Sequence, residues 1–236
     1  MCMNKWKGLM LCLALTMLLS ACNSVKKITG SPCVSNSTTS TQMLVDSAAC
    51  AVKQMRTNQH GPTIDYLLEI SRAVFIFPDV YKMAFMIGAE GGTGVLCAKD
   101  NTGFWNGPVF YSMTGLDIGV QGGVASKTVM IFLLDDEALE SALTGKLDMS
   151  LGADLAIGRL SDQSHRGLFD MEGNMYTVVY QAGAFGGITF HAGALMVSKE
   201  SNKAYYDKSV EVRELLMTHE HDKLDADILL HTLLGF

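Results

Sequence analysis

The residues of this chain that could do chemistry are few and scattered. Asp135, Asp136 and Glu137 are adjacent acids, and paired carboxylates can divide general acid and base roles. Three in a row ahead of an alanine–leucine stretch are instead the pattern of a helix start, where acids accept free amides and face the positive dipole end. His219-Glu220-His221-Asp222, with His231 downstream, is the densest set of metal-ligand types. Alternate histidines share one face of a strand, but this tail reads as polar helix or coil, and no metal is assigned. His165 and His191 stand alone. Gly91-Gly92-Thr93-Gly94 is followed by a strand, whereas a phosphate-cradling loop needs a helix N-terminus behind it. It reads as a tight hairpin. No GKS or GKT occurs, and no serine sits in a GxSxG elbow. These residues outline no catalytic or cofactor site, and a hydrolase or metal enzyme stays an alternative on residues alone.

One cysteine does carry a specific chemistry. Lys5 and Lys7 precede an apolar run from Leu9 to Leu19, and Leu19-Ser20-Ala21-Cys22 closes it with small residues before a thiol. These are the n-region, h-region and cleavage site of a secretory signal. The run is about 11 residues, short of the roughly 20 that span a bilayer. With cysteine as the first mature residue the site resembles a bacterial lipobox, and Cys22 is expected to receive a diacylglycerol. Removing residues 1–21 takes away Lys5 and Lys7 but no acid, so the net charge moves from −6 to −8. Such a chain will not attract nucleic acid or an anionic bilayer through its overall field. Cys33, Cys50 and Cys97 then remain, enough for one disulfide and one free thiol in an oxidising compartment. A Cys33–Cys50 bridge is one arrangement; the spacings have no zinc-ribbon form.

The elements that must position any site follow from periodicity. Residues 22–42 are rich in Ser, Thr and Asn and read as a tether holding the folded part about 25 Å from its anchor. Leu44, Ala48, Val52 and Met55 predict a helix over 43–58, with Lys53 and Arg56 near its C-terminus. A second helix starts at Pro62 and carries Ile64, Leu67, Leu68 and Ile70. Short β-prone runs alternating with glycines follow at 73–78, 83–92, 93–99, 107–115, 116–123, 127–134, 149–158, 175–183 and 186–197, with a helix at 135–143. The fold class is α+β: one domain with a curved, largely antiparallel, barrel-like sheet plus N-terminal and C-terminal helices.

Six segments, in order, resemble the SYLF lipid-binding domain family: 73–82 (AVFIFPDVYK), 86–96 (MIGAEGGTGVL), 105–110 (WNGPVF), 119–123 (GVQGG), 151–154 (LGAD) and 202–206 (NKAYY). The resemblance covers residues 60–208. It implies a domain at 43–217 that binds membrane lipids, phosphoinositides being the ligand of eukaryotic members, with the tail 218–236 beyond the match. Bacterial members resemble secreted lipoproteins, which agrees with Cys22. Two positions depart from the family: Ala84 replaces a glycine, and Ala156-Ile157-Gly158 replaces alanine–glycine–proline. The basic N-terminal helix is reduced to Lys53 and Arg56. With Lys82, read on a surface turn after Pro78, these supply the charge of the expected lipid site, and Phe85 and Trp105 contact the acyl boundary. The expected location is the cell envelope, at the periplasmic face of the outer membrane. The other reading is a scaffold lipoprotein that binds a second envelope protein.

Overall fold

A computed structural model describes residues 35, 37–57, 61–84, 88–117, 123–144, 174–181, 184–186 and 192–235. The signal, Cys22, Cys33, Phe85, His165, His191 and the strand read at 149–158 lie outside the described residues.

The central strand of the sheet contains a proline. β1 (Ala73–Ala84) is flanked by β2 (Gly88–Lys99) on one side and β4 (Gly123–Leu133) on the other. A proline cannot donate to a ladder and is normally excluded from such a position. Here the register with β2 shifts between Ile76 and Asp79, and that with β4 shifts between Phe77 and Val80. Pro78 falls inside both shifts, so its missing N–H breaks no pairing. The strand therefore continues through Lys82, which pairs with Glu90 and Ala125; the surface turn expected there does not exist.

β3 (Trp105–Asp117), β5 (Met175–Gln181), β6 (Ala184–Gly186) and β7 (Ala192–Val197) complete a seven-stranded sheet in the order β6-β5-β4-β1-β2-β3-β7. Every pairing is antiparallel. The α+β class and the curled antiparallel sheet are as expected; among the described residues nothing pairs β6 with β7, so the sheet is open and not a closed barrel.

The Gly91–Gly94 segment lies inside β2, not in a hairpin; the β1–β2 connection is where Ala84 faces Gly88. Its glycines answer a close approach. A Cβ on Gly94 would lie 2.4 Å from both the Ile76 carbonyl oxygen and Phe77 Cδ1, and one on Gly92 would lie 2.7 Å from the Asp79 carbonyl oxygen. The bulge that accommodates Pro78 thus presses β1 onto β2, and only glycine leaves the room. Phe77 stacks with Phe75 at 6.1 Å, and Phe75 meets Tyr111 edge-on at 5.0 Å.

Helices cover the sheet. α1 (Ser40–Thr57) buries Val45, Ala48, Val52 and Met55, close to the predicted stripe, and α2 (Gly61–Ile70) buries Ile64, Leu67 and Leu68. α3 (Asp136–Leu143) begins as the acid run predicts, with the Asp135 carboxylate accepting the Ala138 N–H at 2.8 Å. Tyr111 on β3 donates to the Ala142 carbonyl of α3 at 3.0 Å, while the neighbouring Phe110 packs at 5.1 Å against Tyr205 of α4 (Lys199–Tyr206).

The tail is structural. α5 (Val212–Met217) packs on β3, and a 3-10 turn (Leu224–Ala226) leads into α6 (Asp227–Leu234) against α1. Leu229 and Leu233 of α6 are buried. At the other end Ser35 and Ser37 donate to the Asp46 carboxylate, so the last residues of the expected tether are seated on α1. Cys50 is disulfide-bonded to a partner outside the described residues, and Cys97 is a buried free thiol whose pKa burial pushes up.

Candidate functional site

Of the five expected lipid contacts, Lys53, Arg56 and Trp105 have described side chains, and these serve different parts of the fold. Lys53 is exposed on α1. Arg56, three residues on, is committed to the fold: its Nε lies 2.6 Å from the Asp65 carboxylate of α2, and its Nη1 donates to the Thr232 carbonyl of α6 at 2.5 Å. Lys82 lies in the middle of the sheet by its pairing, and Phe85 is outside the described residues. Trp105 is only 5 % exposed. Lys99 covers its ring at 4.9 Å and donates to the Leu68 and Glu69 carbonyls at 2.8 and 2.7 Å, closing the C-terminus of α2. Burial, and then the charge of Arg72, hold the Lys99 ammonium below its ordinary pKa.

A groove of about 610 Å³ opens elsewhere, between the N-terminal half of α1 and strands β1–β3. The register builds its floor in two rows. Tyr81, Gly91 and Thr114 are paired in succession across β1, β2 and β3, and Asp79, Thr93 and Ser112 form the next row. The β2 and β3 positions among them, Gly91, Thr93, Ser112 and Thr114, are small or hydroxylic, which leaves space above them. Ser40, Met43, Leu44 and Ser47 of α1 form the opposite wall. Tyr81 and Met43 are 52 % and 40 % exposed, an unusual display for large apolar side chains on one concavity.

Electrostatically the lining holds, among the described residues, one carboxylate and no cation. Asp79 accepts from Ser126 Oγ at 3.2 Å, and Thr128 Oγ1 donates to the Pro78 carbonyl at 2.9 Å, so the bulge is held from β4. At the helix wall Asp46 accepts from Ser35, Ser37 and Gln42. Burial pushes the Asp46 carboxyl up, and these hydrogen bonds outweigh it, leaving its pKa below the ordinary value. The arrangement suits a molecule with an apolar portion and neutral hydrogen-bonding groups. Among the described lining residues there is no nucleophile–base pair. In sequence the groove's only trace is the alternation of small residues at 91, 93, 112 and 114, which composition treats as ordinary strand.

A second polar cluster joins the tail to the β2–β3 loop. His219 Nε2 lies 3.0 Å from Asp100 Oδ2, and its Nδ1 lies 3.0 Å from Asp222 Oδ2. Hydrogen bonds to Asp100 and Asp222 raise the His219 pKa. Burial pushes the Asp100 carboxyl up, but hydrogen bonds from Thr102, His219 and the Phe104 amide outweigh it and bring its pKa to about 2. His221 turns away, its Nε2 2.6 Å from Glu214 Oε1, and His231 is exposed on α6.

The segment that closes this architecture, from β3 through α6, corresponds to residues 114–235, which match the family described as Ysc84, Las17-binding protein actin regulator. The chain belongs to the Ysc84 family. The match takes in the tail that the sequence resemblance left outside, in keeping with the packing of α6. SH3 domain-containing YSC84-like protein 1 of Rattus norvegicus is 26 % identical over 166 residues, covering 66 % of this chain and 47 % of the relative. The Homo sapiens protein of the same name is 27 % identical over 147 residues, covering 58 % and 41 %. An SH3 domain-containing protein of Schizosaccharomyces pombe is 23 % identical over 159 residues, covering 65 % and 37 %. The chain thus spans less than half the length of these curated relatives. No solved structure matches it. The Ysc84 family is described by binding and regulation, not by a reaction.

Proposed function

We propose that this Ysc84 domain binds membrane lipid in the groove between α1 and β1–β3, on a chain anchored through Cys22 to the cell envelope at the periplasmic face of the outer membrane. The observation that carries the reading is the groove itself: about 610 Å³, with exposed Tyr81 and Met43 over a hydroxyl-lined floor. That volume lies within the range of ~300–1,000 Å³ typical of small-molecule sites. With Asp79 as the only charged residue among the described lining residues, the groove favours the acyl and glycerol portion of a lipid over a bare phosphate. A covalent chain and a weak protein surface together give stable membrane association where either alone is marginal.

The test is flotation of the unlipidated chain with liposomes of neutral and anionic composition. Wild type should co-float, and Gly91→Leu, which fills the floor, and Tyr81→Ser should not. Lys82→Glu at low ionic strength tests the charge reading separately. Absence of co-flotation by wild type, or equal flotation by the groove variants, would overturn the assignment.

A second reading is favoured by the open sheet and by the family description, which names a protein partner. Strand β7 lies at one end of the sheet with Met196 exposed, and could add a strand of an envelope protein. It requires pull-down of a specific partner and no lipid selectivity.

A further inference from the structure

We propose that Glu214, Glu220 and His221 form a binding site for a divalent transition cation of the Zn²⁺ class. The site is built locally. After α5 the Thr218 amide and hydroxyl both donate to the Glu214 carbonyl, at 3.2 and 2.8 Å, and the chain folds back over that turn. The fold-back brings His221 Nε2 to 2.6 Å from Glu214 Oε1 and places a Glu220 carboxylate oxygen in the same cluster. One ligand atom from each of the three residues lies within 4.8 Å of the others.

The alternate residues of the same turn face elsewhere and hold it in place. His219 is fixed between Asp100 and Asp222, which fastens the turn to the β2–β3 loop, and Lys223 reaches Asp207 at 3.2 Å. The side chain of His221 is 9 % exposed, so its ring is positioned by packing before any ion arrives. Two carboxylates thus converge on one imidazole.

The donor set selects the ion. Zinc takes imidazole nitrogen and carboxylate oxygen at about 2.0–2.2 Å, which puts tetrahedral ligand atoms roughly 3.4 Å apart. The exposed Glu220 side chain is free to adjust toward that spacing, and the His221–Glu214 pair, now at 2.6 Å, opens to admit the ion. The contact between His221 Nε2 and Glu214 Oε1 lies where the ion would enter, so binding replaces that contact with two metal–ligand bonds. Three protein ligands leave a fourth position for water. Calcium and magnesium take oxygen ligands, whereas the imidazole nitrogen of His221 suits zinc and its neighbours.

The experiment is calorimetric titration of the full chain, stripped with chelator, with zinc chloride. One saturable site per chain is expected, and His221→Ala and Glu220→Gln should each weaken it about tenfold or more, about 1.4 kcal/mol. Glu220 is exposed, so its substitution cannot act by unfolding the protein. His231→Ala should leave the affinity unchanged. Absence of saturable uptake, or an affinity unaffected by both substitutions, would overturn the proposal. So would loss of binding in His219→Ala alone, which would place the ion on the Asp100–Asp222 side.

Discussion

Asn202 of α4 takes the place of a strand residue opposite Phe110. Its Oδ1 accepts the Phe110 amide at 2.8 Å and its Nδ2 donates to the Phe110 carbonyl at 3.1 Å, while Ser198 extends the β7 ladder to the same carbonyl at 2.9 Å. One buried amide side chain thus satisfies β3 just where β7 ends and α4 begins. This gives a physical reason for asparagine in the segment that resembles the SYLF family. Asn202→Leu should leave the Phe110 amide buried without a partner and lower stability by about 1–3 kcal/mol in urea denaturation. Ser201→Ala, one position away and less buried, should change it by less than about 0.5 kcal/mol.

Arg56 behaves as a strut between the first, second and last helices. Arg56→Met should cost about 1–2 kcal/mol, mostly through the lost hydrogen bond to the Thr232 carbonyl, because the Asp65 partner is half exposed and its ion pair is screened. Lys53→Met, on an exposed position of the same helix, should be neutral within about 0.5 kcal/mol. Equal effects of the two in urea denaturation would remove the strut.

The glycines of β2 should separate by their distance from β1. Gly94→Ala places a Cβ against a carbonyl oxygen and a ring, and Gly92→Val against a carbonyl; each should destabilise by about 1–3 kcal/mol. Gly91→Ala meets only the Met113 carbonyl oxygen at 3.6 Å and should be tolerated. Thermal unfolding of the three variants under one set of conditions makes the comparison.

Asp100 sets an acid dependence. Its folded pKa of about 2 lies below its ordinary 3.8, so its contribution to stability is complete above 3.8 and is lost as pH falls toward 2. Asp100→Asn should therefore weaken the fold at neutral pH and flatten the loss of stability across that acid window. A wild-type and variant difference that is constant from pH 7 to 2 would contradict the assignment.

Cys22→Ser should leave an unprocessed, unlabelled precursor in cells given radiolabelled fatty acid. Label retained by the variant would refute the lipobox.

Local rules carry the elements that depend on neighbours in sequence. The spacing of Ala48, Val52 and Met55, the first-turn Pro62 and the Asp135 cap each act within a few residues, and α1, α2 and α3 form where those signals stand. The β-prone runs likewise mark most strands, and one buried free thiol is consistent with the cysteine count. What sequence spacing does not contain is who faces whom. Arg56 was legible as a cation but not as a partner of Thr232, which lies 176 residues away. Trp105 was legible as an interfacial aromatic but not as a ring covered by Lys99. Pro78 reads as a strand end until paired register shifts on both sides make room for it. The groove is decided by tertiary placement, because the space above Gly91 and Thr114 exists only once β2 and β3 align their small residues opposite α1. Helix periodicity and caps are short-range energies and can be read from the chain; pairing and burial are long-range ones that only the closed tertiary structure settles.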